Sequence, residues 1–280
     1  MIEIRSLNKT YKSFKLDNAS FDLESGKVTG LIGVNGAGKS TILKILIGLV
    51  KSESGEILID GDRVSDIGEK LRVGFVSQEL NIYASQKMSA VSAFVKDIYR
   101  AEWNDDLFRH YLLDVFGLRD DLKIKELSTG MRVKFFLAME LAKKPECLLL
   151  DEVTSGLDPM IRDEVLDILL EIAREDNIPV LMSSHITEDL EKIADEIIYI
   201  DSGRILLSDS VENIRKNYYR ISEEELNKLS EETRNIVLGR GIKQHQYYVY
   251  DVSVLGGGET AGSPALLSDV LSYLRKGKRC

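Results

Sequence analysis

A glycine-rich loop at positions 33–41 constrains the fold of this chain more than any other feature of its sequence. The loop fits the pattern G-x-x-x-x-G-K-[ST], in which backbone N–H groups surround a phosphate. Lys39 can then reach the terminal phosphates, and the Ser40 hydroxyl can ligate Mg²⁺. The alternative is a glycine-rich turn with an exposed lysine. The pattern predicts a phosphate-binding loop made of Gly33, Val34, Asn35, Gly36, Ala37, Gly38, Lys39, Ser40 and Thr41.

The residues on either side of the loop fit this prediction. The apolar run 28–32 before it is typical of a buried strand. After it, Ile42, Ile45, Leu46 and Leu49 recur at helical spacing. The sequence therefore predicts a strand, the loop and then a helix whose positive end faces the phosphates.

Composition excludes several classes of protein. The chain has 280 residues, and 46 Asp and Glu outnumber 37 Lys and Arg to give a net charge of −9. This acidic balance argues against broad binding to nucleic acid, and no nucleic-acid partner is expected. No apolar run approaches the ~18–20 residues of a membrane span, and the N-terminus lacks a signal-peptide pattern, so a cytosolic chain is expected. The two cysteines, at positions 147 and 280, suggest neither a disulfide framework nor a metal site.

Strand-like and helix-like segments alternate up to about residue 210, which predicts an α/β sheet covered by helices. Early segments alternate apolar and polar residues, as strands with one solvated face do. Between about 79 and 144 helical spacing replaces the strand pattern. The predicted fold class is α/β: a P-loop NTPase core with an antiparallel β subdomain and a helical insert, followed by a small C-terminal α+β appendage.

The expected domains are 1–210, with the helical subdomain at about 79–144, and an appendage of unassigned role at 211–280. In the appendage, Ser222 to Glu225 resembles a helix capping box, and 247–254 reads as a strand. A further helix is expected from Pro264 onward, with Ser263 as its N-cap.

Two carboxylates end a second apolar strand at 147–150. At a hydrolytic phosphate site, Asp151 would hold Mg²⁺ through water or Ser40, and Glu152 would orient and deprotonate the attacking water. The alternative is a strand that happens to end in an acidic turn.

Over about residues 1–210, the chain resembles the nucleotide-binding domain of ATP-binding cassette (ABC) transporters. Residues 127–131, Leu-Ser-Thr-Gly-Met, look like the signature motif of that family, usually Leu-Ser-Gly-Gly-Gln, at the start of a predicted helix. The resemblance implies that Ser128 and Gly130 contact ATP phosphate. The alternative is that Ser128 only caps the helix.

Four more positions match the family pattern. Gln78 looks like the glutamine that contacts Mg²⁺ and the attacking water. The loop 155–158 resembles the one that crosses the dimer interface and ends at Asp158. His185 looks like the histidine that touches the γ-phosphate, and Tyr11 like the aromatic residue that stacks on adenine. The alternatives are polar caps of strand ends for Gln78 and His185, and a surface aromatic for Tyr11.

The sequence departs from the family pattern at Thr129 and Met131, at Val153 where proline is usual, and at Gly156 where alanine is usual. Glu152 and His185 are kept, so ATP turnover is expected.

The resemblance implies an ATPase with ATP and Mg²⁺ as cofactors. Two cassettes would close head to tail around ATP, so a second ABC ATPase chain, identical or different, is an expected partner. Transmembrane permease subunits would be the other partners, docked on residues Gln86 to Ile98, and would hold the chain at the inner face of the cell membrane. The C-terminal extension resembles those of bacterial export systems, so export is expected.

Two other functions stay open at this point. One is an ABC-type regulatory ATPase not tied to transport, although such proteins usually carry two cassettes in one chain. The other is a small-molecule kinase or a GTPase, although no Asn-Lys-x-Asp or Thr-Lys-x-Asp motif is present and neither class needs the signature-like residues.

Overall fold

A computed structural model of the chain describes residues 1–77, 84–244, 247–252 and 262–277. Its central sheet has six strands, in the spatial order 10-9-3-8-7-6. All neighbouring pairs in this sheet are parallel except the strands at 196–201 and 204–210, which form an antiparallel hairpin. The strands are β3 (Val28–Ile32), β6 (Val73–Ser77), β7 (Cys147–Asp151), β8 (Val180–Ser184), β9 (Glu196–Asp201) and β10 (Arg204–Ser210).

The amino-terminal part folds into a four-stranded antiparallel sheet, in the order 2-1-4-5. One face of this sheet packs its alternating apolar residues toward the central sheet, which is why its strands read as apolar and polar in turn. The strands are β1 (Ile2–Tyr11), β2 (Phe14–Leu23), β4 (Ser54–Ile59) and β5 (Asp62–Val64).

Helices cover the central sheet. Helix α1 (Lys39–Leu46) packs with the antiparallel sheet in one apolar core. A second core contains apolar residues of α4 (Thr129–Leu141), α5 (Pro159–Glu175) and α6 (Thr187–Ile193). Between β6 and β7 the described residues also form α2 (Met88–Tyr99), α3 (Asp105–Arg109), a π-helical turn (His110–Val115) and a 3₁₀ turn (Ile124–Glu126).

The carboxy-terminal part is a four-stranded sheet in the order 12-13-11-14, with α7 (Val211–Asn217) leading into it. One sheet face contributes Ile221 and Tyr250 to a small core with residues of the helices after β11, and α10 packs against the other face. The elements are β11 (Tyr218–Ser222), α8 (Glu223–Leu226), α9 (Glu231–Arg240), β12 (Ile242–Gln244), β13 (Tyr247–Asp251), β14 (Ser263–Pro264) and α10 (Leu267–Gly277).

The predicted fold class, a P-loop NTPase core with antiparallel and helical parts and a small α+β appendage, is confirmed. The capping box at Ser222 is also present, since its Oγ accepts the Glu225 N–H at 3.2 Å and a Glu225 carboxylate oxygen accepts the Ser222 N–H at 2.9 Å. The predicted boundary at 210 falls between β10 and α7. Among the described residues, no helix combines the length and apolar character that a membrane crossing requires.

Two local predictions were wrong. Helix α1 ends at Leu46, so Leu49 lies beyond it and is 69% exposed. Ser263 does not cap a helix; Ser263 and Pro264 pair with β11, and α10 begins only at Leu267. The predicted strand 247–254 ends at Asp251 in the described part of the chain, and Cys280 lies outside the described residues.

Candidate functional site

The loop predicted to bind phosphate joins β3 to α1, as its flanking sequence indicated. Gly38 adopts φ +121°, in the region that side-chain-bearing residues avoid, and a Cβ there would lie 2.8 Å from Cζ of Phe14. The Ala37 N–H donates to the carbonyl oxygen of Val34 at 3.0 Å, which closes the loop on itself. The N–H groups of the first turn of α1 follow directly, so the loop and the helix start form an anion-binding concavity.

The turn between β9 and β10 supports this loop from the side. The N–H of Gly203 donates to the carbonyl oxygen of Ala37 at 2.9 Å. The N–H of Asp17 donates to the carbonyl oxygen of Gly203 at 2.8 Å. Gly203 adopts φ +79°, and a Cβ there would lie 1.8 Å from the carbonyl oxygen of Lys15. Only glycine therefore fits at this contact, which the sequence analysis did not identify.

A cleft of about 820 Å³ opens in front of the loop. Its lining also includes residues that the sequence did not predict, namely Ser13, Phe14, Lys44, Leu49, Phe75 and Ser77, and Ser155 of the predicted interface loop. The predicted site residues Gly33, Val34 and Ala37 belong to the loop but do not line the cleft. The predicted residues that do line it are Tyr11, Asn35, Gly36, Gly38, Lys39, Ser40, Thr41, Asp151, Glu152 and His185.

Three of these side chains form one chain of polar contacts. Lys39 is only 5% exposed, and its Nζ donates to the carbonyl oxygen of Gly33 at 2.7 Å. The same Nζ lies 3.0 Å from Oε1 of Glu152, and Oε2 of Glu152 lies 2.5 Å from Nδ1 of His185. The candidate base is therefore in contact with both the loop lysine and the predicted γ-phosphate histidine.

Asp151 and Glu152 are held by a residue that the sequence analysis missed. Ser183 on β8 is fully buried, and its Oγ donates to Oδ1 of Asp151 at 2.5 Å. The Glu152 N–H in turn donates to that Oγ at 3.1 Å. A polar residue at the carboxyl end of the apolar strand β8 was the available signal, because parallel register places Ser183 opposite Asp151.

Tyr11 lies at the rim of the cleft. Its side chain is 42% exposed, and its ring centroid lies 6.4 Å from that of Phe14. Nζ of Lys9 lies 5.9 Å from the Tyr11 ring. An exposed ring at the cleft entrance can stack on a planar base, as the sequence predicted for Tyr11.

The signature-like residues do not line the cleft of their own chain. The exposed Ser128 is the N-cap of α4, its Oγ accepting the Met131 N–H at 3.2 Å, and Asp158 caps α5 by accepting the Ile161 N–H at 3.2 Å. Gly130 is buried, and a Cβ there would lie 2.7 Å from Cγ2 of Ile161. Gln78 lies outside the described residues.

The donor atoms in the cleft fit a magnesium ion. The Ser40 hydroxyl and the Asp151 carboxylate line the same cavity, and both are oxygen donors of the kind that Mg²⁺ prefers. The described residues contain no group of three or more His, Cys, Asp or Glu side chains able to hold a metal. Few protein ligands are expected, since Mg²⁺ commonly takes one or two carboxylates together with waters and substrate phosphates.

Helix α6 starts two residues after His185 and contains a buried carboxylate. Asp189 is 2% exposed, with Nη1 of Arg162 3.6 Å from its Oδ1. Burial raises the pKa of Asp189 above its ordinary value, because the ionised form loses hydration that Arg162 does not fully replace.

Comparisons with known proteins agree with the fold and the cleft. The family profile described as "ABC transporter" matches residues 16–155. The methionine import ATP-binding protein MetN of Staphylococcus haemolyticus is 31% identical over 232 residues, which cover 78% of this chain and 68% of that protein. MetN 1 of Pseudomonas fluorescens is 33% identical over 231 residues, covering 76% and 68%.

Two solved structures are similar throughout their length. A dimeric bacterial ABC transporter cassette gives a TM-score of 0.66 at 25% identity, covering 75% of this chain and 99% of that one. The protein cbiO1 of Clostridium perfringens, part of the ABC transporter complex cbiONQ, gives a TM-score of 0.64 at 25% identity. The match covers 85% of this chain and 96% of that one.

These findings correct one expectation and establish the family. Both MetN relatives are named as import proteins, so the export expected from the C-terminal extension has no support among them. The family profile, the relatives and the shared fold show that the chain belongs to the ABC transporter family, as an ATPase subunit of such a transporter.

Proposed function

We propose that the cleft hydrolyses ATP with Glu152 as general base, in a site that two cassettes complete together, and that this reaction drives import through separate membrane subunits. The observation that carries the proposal is the contact of one carboxylate, Glu152, with both Lys39 and His185. All three side chains line the cleft beside the phosphate loop.

In this proposal, the loop and Lys39 bind the ATP phosphates, and Glu152 accepts a proton from the attacking water. His185 holds Oε2 of Glu152 at 2.5 Å and would contact the γ-phosphate once Lys39 turns from Glu152 to the nucleotide. Tyr11 would stack on the adenine, a contact worth on the order of 1–3 kcal/mol. Preorganised contacts of this kind do most of the catalytic work in phosphoryl transfer, because little covalent chemistry falls to the protein.

Ser40 and Asp151 would hold Mg²⁺ in the cleft, with Gln78 as the third ligand implied by the family resemblance. When bound, Mg²⁺ neutralises charge on the phosphate oxygens. Its presence is testable directly, since hydrolysis should stop in EDTA and return when Mg²⁺ is added.

Ser128, Gly130 and Asp158 would contact the ATP of a second cassette. Two observations support this part of the proposal: these residues lie outside their own chain's cleft, and a similar cassette forms a dimer. ATP between the two surfaces would stabilise the closed pair, and hydrolysis would release it.

The shared site can be tested with a substitution that keeps the helix cap. Ser128→Asp preserves capping of α4, because aspartate is as good an N-cap as serine, and it adds a negative charge facing the partner's phosphates. We expect normal ATP binding by the monomer but loss of dimerisation and hydrolysis, measured by light scattering and phosphate release. Dimerisation is best followed in a Glu152→Gln background, where ATP is not consumed.

Ser230 provides a matched control. It is an exposed serine that caps α9, accepting the Thr233 N–H at 3.2 Å, and it lies in the appendage. Ser230→Asp should dimerise with ATP as the parent does. Equal dimerisation of Ser128→Asp and Ser230→Asp would contradict the shared site and leave Ser128 as a helix cap only.

Import is proposed because both MetN relatives carry that description. The chain would lie in the cytoplasm, at the inner face of the membrane, held by permease subunits that bind the helical part around Gln86 to Ile98. Co-purification of membrane-spanning proteins with the tagged chain would identify those subunits. When the chain is reconstituted with these subunits in vesicles, it should drive ATP-dependent uptake of radiolabelled methionine or another amino acid. ATP-dependent loss of preloaded substrate instead would overturn import but not ATPase activity.

A further inference from the structure

Ser183 occupies a central position in the six-stranded sheet. Its strand, β8, lies between β3 and β7, and every residue of β8 is buried. The neighbouring residues 180–182 are apolar, so a buried hydroxyl at 183 needs hydrogen-bond partners to offset its lost hydration. Parallel register with β7 places Ser183 beside Asp151, the last residue of that strand.

The Ser183 hydroxyl bonds to both candidate site carboxylate residues at once. A hydroxyl has one proton to donate and two lone pairs that accept. The proton goes to Oδ1 of Asp151 at 2.5 Å, and a lone pair accepts the Glu152 N–H at 3.1 Å. One buried atom therefore fixes both the rotamer of Asp151 and the position of the Glu152 backbone.

The backbone of Glu152 needs this support. Glu152 has φ +56°, in the left-handed region that residues other than glycine enter only at an energetic cost. Its N–H is shared between Oγ of Ser183 and the carbonyl oxygen of Ser183 at 3.2 Å. This turn directs the Glu152 side chain toward Lys39 and His185.

We propose that Ser183 is a positioning residue for the reaction: its hydroxyl orients the Asp151 carboxylate toward the magnesium position and holds Glu152 in the left-handed turn that aims its carboxylate. This inference rests on the proposed function of the cleft. Partners that orient a metal ligand in this way are typically worth 10–100-fold in metal affinity or activity.

Ser183→Ala removes the hydroxyl, and Ser183→Thr keeps it. For Ser183→Ala we expect kcat to fall by about 10–100-fold, and KM for ATP in excess Mg²⁺ to rise with the loss of Mg²⁺-dependent affinity. Binding of a fluorescent ATP analogue, titrated with Mg²⁺ and separately with EDTA, supplies a readout independent of turnover. The ratio of the affinity for the analogue in Mg²⁺ to its affinity in EDTA should fall by about tenfold, while the affinity in EDTA stays at the wild-type value. Ser183→Thr should restore most of both quantities.

Ser20→Ala is the matched control, because Ser20 is a partly exposed serine on β2 whose Oγ accepts the Ser6 N–H at 2.8 Å, and it lies in neither the cleft nor the proposed docking segment. It should change neither kcat nor the Mg²⁺ dependence. Thermal unfolding shows whether each variant is folded, and Ser183→Cys, of similar volume and with a weak donor, replaces Ser183→Ala if that variant is not.

Wild-type Mg²⁺ dependence and kcat in a folded Ser183→Ala or Ser183→Cys would overturn the inference. So would a folded Ser183→Thr that is as impaired as Ser183→Ala. A wild-type chain that neither binds the analogue nor hydrolyses ATP would instead overturn the proposed function of the cleft.

Discussion

Replacing Glu152 with glutamine should have two opposite effects, slower hydrolysis and tighter ATP binding. The amide cannot accept a proton from water, so turnover should fall by about 10²–10⁴. Tighter binding follows from the 3.0 Å contact between Nζ of Lys39 and Oε1 of Glu152. ATP must draw Lys39 away from this carboxylate, and glutamine removes that competitor.

The structure sets the size of the effect. At 3.0 Å and an effective dielectric constant of about 20, two unit charges attract by about 5 kcal/mol. Lys39 and Glu152 are 5% and 19% exposed, so the cost of burying both charges offsets much of this attraction. A remaining 1–2 kcal/mol or so corresponds to about 5–30-fold tighter ATP binding. Because the pair is mostly buried, the gain should persist at about 0.5 M salt.

Equilibrium binding of a fluorescent ATP analogue measures the affinity, and phosphate release in a single turnover measures hydrolysis. Glu164→Gln is the control. Oε1 of Glu164 lies 2.7 Å from Nζ of the buried Lys134, and neither residue lines the cleft. It should leave both quantities unchanged. Unchanged or weaker ATP binding in Glu152→Gln would refute the competition argument, and near-normal turnover would remove Glu152 as the base.

Three further substitutions test the site and the helix that follows it. Lys39→Ala should abolish ATP binding at ordinary concentrations, because it removes the buried ammonium group beside the phosphate loop; unchanged affinity by equilibrium dialysis would show that the loop is misassigned. His185→Ala should lower kcat by about 10–100-fold with little loss of binding, since it frees Oε2 of Glu152, and normal turnover would give His185 a structural role only. Asp189→Asn tests the buried carboxylate. The raised pKa of Asp189 means that its ionisation costs stability as pH rises through that pKa and costs nothing below its ordinary value of 3.8. The Tm of Asp189→Asn minus that of wild type should therefore increase from about pH 4 to about pH 7, and a constant difference would contradict the assigned burial cost.

The sequence predicted the features that depend on neighbouring residues. The strand, loop and helix around positions 33–41, the buried strands and the capping box at Ser222 each follow from a short local pattern, and each is present. The end of α1 was missed although a local signal for it exists: Gly48 lies just after the helix and adopts φ +73°, a conformation that glycine favours there.

Features that depend on distant residues were missed. At the start of α10, Oε1 of Glu191, 76 residues earlier, accepts the Leu267 N–H at 2.5 Å. Ser263 instead pairs with Arg220 in β11. The contacts of Ser183 were missed for the same reason: a serine that ends an apolar strand was a signal, but its partners become neighbours only when β7 and β8 pair. No local pattern contains these contacts.

Gly203 has a practical consequence for anyone who labels or redesigns this chain. By sequence, the turn Asp201-Ser202-Gly203-Arg204 is an ordinary hairpin tip, the kind of place chosen for an epitope tag or a fluorophore. Its backbone instead connects the phosphate loop at Ala37 to the antiparallel sheet at Asp17. An insertion there would break the hydrogen bonds that support the loop at Ala37. Saturation mutagenesis should show position 203 to be as intolerant of substitution as the loop glycines, although no motif includes it.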